Sequence, residues 1–501
     1  MTGPRMVAPA LLIGLGLAFG LIATANGAGY RYGVSDQAFY IPVVVRSIDP
    51  TLFPRDAPLI DAQGHLMATD EILATLIRTT GTSLETLYLG CYLISLALMW
   101  TGLTSIALRV YRSPWALVAL GAALTLRHRI PETSANSFEP YFHPRMLAFA
   151  LGTLAVGALL RRRPWAAVAW VAAAALVHVT TALWFSVLVG VALAVLDVRM
   201  RRLAALGALA AGVSLAVAVA IGPLSGTLTI MDDTWLQAVA SKDSLFATLW
   251  PAWAWVANLG SLAVLWWAYR VRASRGHSTN EDLALAWGAT ALVALFLLTL
   301  PLVAARVALP VQFQISRVFW LIDFLATVYL IGVLADRPDR RTRAVVAAVV
   351  LVTLAVGRGA YVMFVERPER ALFERRAVES PWQATMRWIQ GQPRDAHVLA
   401  DPGHAWKYGT SVRVAAERDV FLEEVKDSAL AIYSRDVAIR VVDRTRAVGD
   451  FSALTAERAR ALARQYDLDF LITEADLPLP VLYRNVQFRV YALQQPVAGS
   501  P

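Results

Sequence analysis

Long apolar runs separated by short polar connectors fill the first 365 residues. A bilayer core about 30 Å thick takes roughly 20 apolar residues per helix. On that rule the runs near 6–25, 84–108, 113–126, 145–160, 164–177, 179–196, 203–222, 248–268, 283–302, 317–335 and 343–364 predict eleven transmembrane helices. The stretch 164–197 reads as two short helices meeting near His178-Val179-Thr180-Thr181, because one helix of that length would span about 50 Å at 1.5 Å per residue. Non-helical backbone at membrane depth survives only where protein covers it or a cavity meets it.

From Ser380 the pattern changes to short alternating stretches and amphipathic ones. AHVLA (396–400), LDFLIT (468–473) and FRVYAL (488–493) have the period of strands. SPWQATMRWI (380–389), ALAIYSRDVAIRVV (429–442) and TAERARALARQY (455–466) have that of helices, with Ser380 and Thr455 as N-caps. The expected fold is therefore an all-α polytopic membrane domain over 1–365, with outer loops at 26–83 and 127–144, followed by a small C-terminal α/β domain over 366–501.

Composition supports a membrane protein. The chain is 57% hydrophobic and 17% charged, against about 25% charged for soluble proteins. Its net charge of +9 would suggest nucleic acid in a soluble protein. Here it fits basic cytoplasmic connectors, and no nucleic-acid partner is expected. Arg109 with Arg112, Arg161 to Arg163, Arg199 with Arg201 and Arg202, Arg270 with Arg272 and Arg275, and Arg337 through Arg343 fall on one side when eleven helices are counted. That side is the cytoplasm, with the N-terminus inside and the C-terminal domain outside. The first apolar run is read as an uncleaved helix rather than a signal peptide. Of 46 basic residues only Lys242, Lys407 and Lys426 are lysine, so abundant arginine reflects composition rather than phosphate recognition. A single cysteine, Cys91, excludes an intrachain disulfide, a zinc–cysteine cluster and a thiol redox pair.

Two outer loops carry the candidate chemistry. In Gly29–Asp61, Asp36 suits either an N-cap or a general base activating an acceptor hydroxyl. Tyr40, four residues on, shares its helical face and is expected to line the same site. Asp49, Asp56 and Asp61 read as turn formers or ion-pair partners. The second loop, RHRIPETSANSFEPYFHPR, holds Arg127, Arg129, Glu132, Glu139, His143 and Arg145, placing arginines outside against the usual charge rule. An interfacial arginine can hold a phosphate by paired charge-assisted hydrogen bonds, or pair with Glu132, Glu139 or lipid headgroups. His143 is better read as structural than as a metal ligand, since no second histidine stands at a ligand spacing. His178 is an ionisable group between two apolar helices, hence a functional candidate. Arg317 is a further phosphate candidate, and Asp323, buried within a span, needs a partner. No phosphate loop, HExxH, Gly-x-Ser-x-Gly or Rossmann fingerprint is present.

This layout resembles the GT-C superfamily, the polytopic glycosyltransferases that use polyprenyl-phosphate-linked sugars. The likeness rests on the eleven expected spans, SDQAFYIP soon after the first helix, the Arg-, Glu- and His-rich second outer loop and the terminal α/β domain. It covers nearly the whole chain as architecture and motif placement, closest to bacterial members. The resemblance implies a catalytic carboxylate at Asp36 and lipid-phosphate binding by Arg127, Arg129, Arg145 or Arg317. It implies as partners a polyprenyl-phosphate-linked sugar, membrane lipid and an extracytoplasmic acceptor, in a bacterial inner membrane. Asp36 is followed by Gln37 where several families carry a second acid, which argues against a metal-assisted mechanism. No metal ligands are assigned, and the cofactor stays unknown. Two other readings are a transporter or flippase of a lipid-linked precursor, using Asp323, His178 and Arg306, and an inactive GT-C-like envelope scaffold.

Overall fold

The computed structural model describes residues 8–64, 68–336 and 341–494. It is mostly helical (68%), with a small C-terminal sheet region. The connector positions Arg337 and Arg340, the first residues of the run at 6–25 and the tail from Gln495 lie outside the described residues.

A helix occupies each of the apolar runs. Seven are long and apolar enough to cross a membrane: Pro9–Asn26, Leu84–Val110, Val179–Leu196, Val198–Ile221, Asn280–Ala304, Ala308–Ala335 and Thr342–Glu366. Pro114–Thr125, Pro144–Leu160 and Pro164–Val177 are apolar but short. Each of the three begins on a proline, whose fixed φ and missing N–H suit the first helical position. Ala252–Ser274 is long but carries Asn258, Arg270 and Arg272 among its tryptophans, which lowers its hydropathy. Among the described residues, seven helices thus qualify as spans by length and composition, where eleven were expected.

The chain folds as two compact units. The first comprises the described residues up to Tyr30, Tyr88–Ile230 and Asp243–Phe373. Its helices pack through aromatic side chains: Phe149 stacks on Trp320 with centroids 4.0 Å apart and meets Phe185 edge-on. Glycines let helices approach closely. A Cβ at Gly288 would stand 2.5 Å from the backbone oxygen of Leu188, so Asn280–Ala304 and Val179–Leu196 touch there with no side chain between them.

The second unit comprises Arg31–Leu87, Met231–Lys242 and the described residues from Glu374 onward. Five strands, β1 (His397–Leu399), β2 (Asp419–Val420), β3 (Phe470–Thr473), β4 (Val481–Arg484) and β5 (Arg489–Ala492), form a sheet in the order β2-β1-β3-β5-β4. β1 is parallel to β2 and β3, whereas β3–β5 and β5–β4 are antiparallel. Alternate residues face opposite ways, as strand geometry requires. Leu399, Leu471 and Tyr491 pack on the helix Ala456–Tyr466, and Val398, Ile472 and Val490 on Pro381–Gln390. Ser380 and Thr455 cap these two helices by accepting from Gln383 N and Arg458 N. The run expected as one helix over 429–442 is divided between Glu424–Leu430 and Arg435–Val448, because Ser434 caps the second by accepting from Val437 N.

The opening stretch, read from sequence as an outer loop of the membrane domain, joins this unit through buried charge. Asp56 is fully buried. Its carboxylate accepts from Arg413 Nε at 2.7 Å, from Val420 N at 3.0 Å and from Arg440. Burial alone would push its pKa up, but Arg413 and Arg440 outweigh that and hold it below the usual carboxylate range. In return Asp419, at the start of β2, accepts from the backbone N–H groups of Arg55 and Asp56 at 3.1 and 2.9 Å. Asp61 pairs with Arg46 at 3.2 Å and Asp49 with Arg394. All three of these aspartates are ion-pair partners.

Candidate functional site

The loop between Pro114–Thr125 and Pro144–Leu160 is a small hairpin. Arg129 pairs with Asn136 and Ile130 with Ala135 in an antiparallel ladder. Glu132 and Ser134 take left-handed φ values of 48° and 52° in its turn. The chain then returns through Phe138 and Glu139, both buried. Glu139 gathers the loop: Oε1 accepts from Asn136 Nδ2 at 2.8 Å and from Arg145 Nη2 at 3.4 Å, and Oε2 from Arg127 Nη2 at 3.4 Å. Arg127 Nε also donates to the Phe138 carbonyl at 2.9 Å. Arg127 and Arg145, eighteen positions apart in sequence, thus share one carboxylate.

Two histidines start two helices by the same device. The backbone N–H of Arg145 donates to His143 Nδ1 at 3.1 Å, capping Pro144–Leu160. That of Thr181 donates to His178 Nδ1 at 3.3 Å, capping Val179–Leu196. A ring nitrogen that accepts a backbone N–H carries no proton, so each neutral ring holds its proton on Nε2. The two rings meet edge-on with centroids 6.4 Å apart. The ionisable neighbours of His178 are His143, Arg317 and Arg145. Arg317 sits at the N-cap of Val318–Ala335, whose Trp320 lies under the Arg145 guanidinium at 5.9 Å. Three helix starts, two guanidiniums and two imidazoles therefore meet in one region. Helix N-termini and arginines both favour a negative guest.

The partner that Asp323 needs is His128. His128 Nε2 lies 3.0 Å from Asp323 Oδ2 and Nδ1 lies 3.3 Å from the Leu126 carbonyl. With an acceptor at each nitrogen, both positions favour N–H, and the Asp323 hydrogen bond is the first cause of a pKa raised above the ordinary histidine value. Arg129 is exposed and Glu132 half-buried at the turn; neither is drawn into the cluster around Glu139 among the described contacts.

Asp36 and Tyr40 belong to the second unit. Asp36 occupies the N-cap position of Gln37–Ile48 without making a side-chain cap bond. Lys426 Nζ donates to its Oδ1 at 2.7 Å, and Lys426 is itself buried. Lys242 Nζ donates to the Val425 carbonyl at 3.0 Å, and burial with the nearby Lys426 charge lowers its pKa. Of the three lysines in the chain, Lys426 thus holds this aspartate and Lys242 lies nearby. Tyr40 is buried and tilted against Phe39, 4.2 Å between centroids, and it is the Phe39 ring that faces the Lys426 ammonium at 6.0 Å. Lysine scarcity was the one sequence signal that pointed to Lys426. His128–Asp323 and Arg145–Trp320 left none, because both span long separations.

Among the described residues no three His, Cys, Asp or Glu side chains gather as a metal cage. Comparison with known protein families and with curated proteins finds no match to this chain.

Proposed function

We propose that the protein is a membrane glycosyltransferase that moves a sugar from a polyprenyl-phosphate donor to an extracytoplasmic acceptor with inversion, in a bacterial inner membrane. The observation that carries this reading is the cluster of Arg145, Arg317, His143 and His178 at the starts of three apolar helices. A lipid phosphate brings its charge to the end of an apolar chain, which is what such a cluster at helix ends can receive. In the reaction Asp36 takes the proton of the acceptor hydroxyl, whose oxygen attacks the anomeric carbon. The bond from that carbon to the phosphate oxygen breaks, and polyprenyl phosphate leaves with the bonding electron pair. Asp36→Asn should abolish transfer from polyprenyl-phosphate sugars while hydrogen exchange shows the protein still folded. Undiminished transfer by that variant would sink the assignment. Lipid co-purified with the unaltered protein should include a polyprenyl phosphate by mass spectrometry, and Arg145→Gln should lose it.

The Asp36–Lys426 ion pair favours a second reading, a GT-C-like scaffold without catalysis. In that pair Lys426 Nζ already occupies Asp36 Oδ1 at 2.7 Å, the oxygen that an acceptor hydroxyl would have to reach. Transfer that is absent from the unaltered protein, with polyprenyl phosphate still bound, would select the scaffold.

A further inference from the structure

Arg413 stands among three buried carboxylates of the second unit. Its Nε donates to Asp56 at 2.7 Å, and its Nη1 and Nη2 donate to the two oxygens of Asp427 at 2.6 and 3.2 Å. Arg440 also donates to Asp56. Glu423 is the third carboxylate and receives least. Ser411 Oγ donates to its Oε2, Arg413 Nη1 stays 3.8 Å away, and Oε1 has no hydrogen-bond partner. The residue is 1% exposed, too little for bulk water to make up the difference.

No other cation compensates it. His404 Nε2 lies 4.0 Å from Glu423 Oε2 but accepts from Val412 N at 3.3 Å, while Nδ1 lies 2.7 Å from the Asp401 carbonyl. The ring is therefore neutral, with its proton on Nδ1. Lys426 gives its ammonium to Asp36. A buried carboxylate short of paired charge takes a proton instead. Burial, with Asp427 adding to it against the pull of Arg413, Ser411 and Lys426, raises the Glu423 pKa from 4.5 to about 7.

Glu423 also starts a helix. Its carbonyl accepts from the N–H groups of Lys426 and Asp427 at 3.1 and 2.8 Å, and its own N–H donates to Asp427 Oδ2 at 3.0 Å. It thus closes the first turn of Glu424–Leu430, the helix whose Lys426 binds Asp36 at the N-cap position of Gln37–Ile48.

We propose that Glu423 is a proton-operated latch on Asp36. Neutral, it seats Glu424–Leu430 and keeps Lys426 on Asp36. Ionised, it sets a second anion beside Asp427 that Arg413, already bound to Asp56 and Asp427, does not compensate; the helix start opens and Asp36 is released. A group whose folded pKa is raised contributes stability below its unfolded value, and that contribution is lost as pH rises through the folded value. The latch is therefore closed in acid and open in mild alkali.

Hydrogen exchange of the full-length protein in nanodiscs, corrected for intrinsic rate, tests this. Between pH 6 and pH 8.5 protection of residues 411–430 and 37–40 should fall roughly tenfold relative to β3 and β5, the factor expected for ionisation through a pKa near 7. Glu423→Gln should abolish the fall. Ser411→Ala, which removes a hydrogen bond that lowers the Glu423 pKa, should move its midpoint to higher pH. Lys426→Met should keep the fall in 411–430 and abolish it in 37–40. Protection unchanged with pH in the unaltered protein, a fall that persists in Glu423→Gln, or a midpoint unmoved by Ser411→Ala overturns the latch. A fall at 37–40 that survives Lys426→Met overturns its hold on Asp36. Exchange reads the latch without glycosyl transfer, so its failure and that of the transfer reading are distinguishable.

Discussion

His128 ties the 127–143 loop to the apolar helix Val318–Ala335 through one proton. Its ring bridges Asp323 and the Leu126 carbonyl, and the Asp323 hydrogen bond raises its pKa in the folded protein. A group whose folded pKa is raised contributes fully below its unfolded value, near 6.5, and that contribution is lost as pH rises through the folded value. Hydrogen exchange of the 127–143 loop, corrected for intrinsic rate, should therefore be slower at pH 6 than at pH 8.5. Asp323→Asn should remove that difference. Equal protection at both pH values in the unaltered protein would show that the pair does not hold the loop. The residue-level roles of His143 and His178 were partly legible, since each precedes a helix. Their meeting was not, because a helix start says nothing about which other start it faces.

At the level of elements, close helix contacts rest on missing side chains. A Cβ at Gly288 would come within 2.5 Å of a backbone oxygen, whereas Gly190, on the facing helix Val179–Leu196, has nothing within 4 Å of that position. Backbone cannot move aside as a flexible side-chain tip can. Gly288→Ala should therefore cost about 1–3 kcal/mol through overpacking. Gly190→Ala should be neutral or gain up to about 1 kcal/mol from helix propensity. Thermal unfolding of the two variants in the same detergent gives the comparison, and a Gly288→Ala protein as stable as its parent would contradict the close approach. Helix positions themselves were readable from apolar runs. Their lengths were not, since Pro114–Thr125, Pro144–Leu160 and Pro164–Val177 are shorter than the seven long apolar helices.

Across the whole molecule, the opening stretch folds with the sheet through the fully buried Asp56 and the two arginines it binds. Removing one partner of a buried pair leaves uncompensated charge and typically costs about 3–5 kcal/mol. Asp56→Asn should accordingly raise hydrogen exchange in both Gln37–Ile48 and β1–β2, not only near residue 56. Because Arg413 and Arg440 depress the Asp56 pKa against the upward push of burial, its contribution is present above the usual carboxylate value of 3.8. It is lost as pH falls through the lower folded-state value. The same two segments should lose protection together on acidification, and loss confined to one of them would mean that Asp56 does not couple them.

Apolar periodicity determined where the long apolar helices and three of the sheet's five strands lie, and the break at His178, because backbone hydrogen bonding and burial of one face are decided over a few neighbouring residues. The N-caps at Ser380 and Thr455 followed for the same reason. Charge pairing did not follow. Asp36 finds Lys426 across 390 positions, Asp56 finds Arg413 across 357 and His128 finds Asp323 across 195. With 46 basic residues to choose from, no local rule selects one partner; packing does, and for Asp56 it does so in a dry interior where only a paired carboxylate is stable.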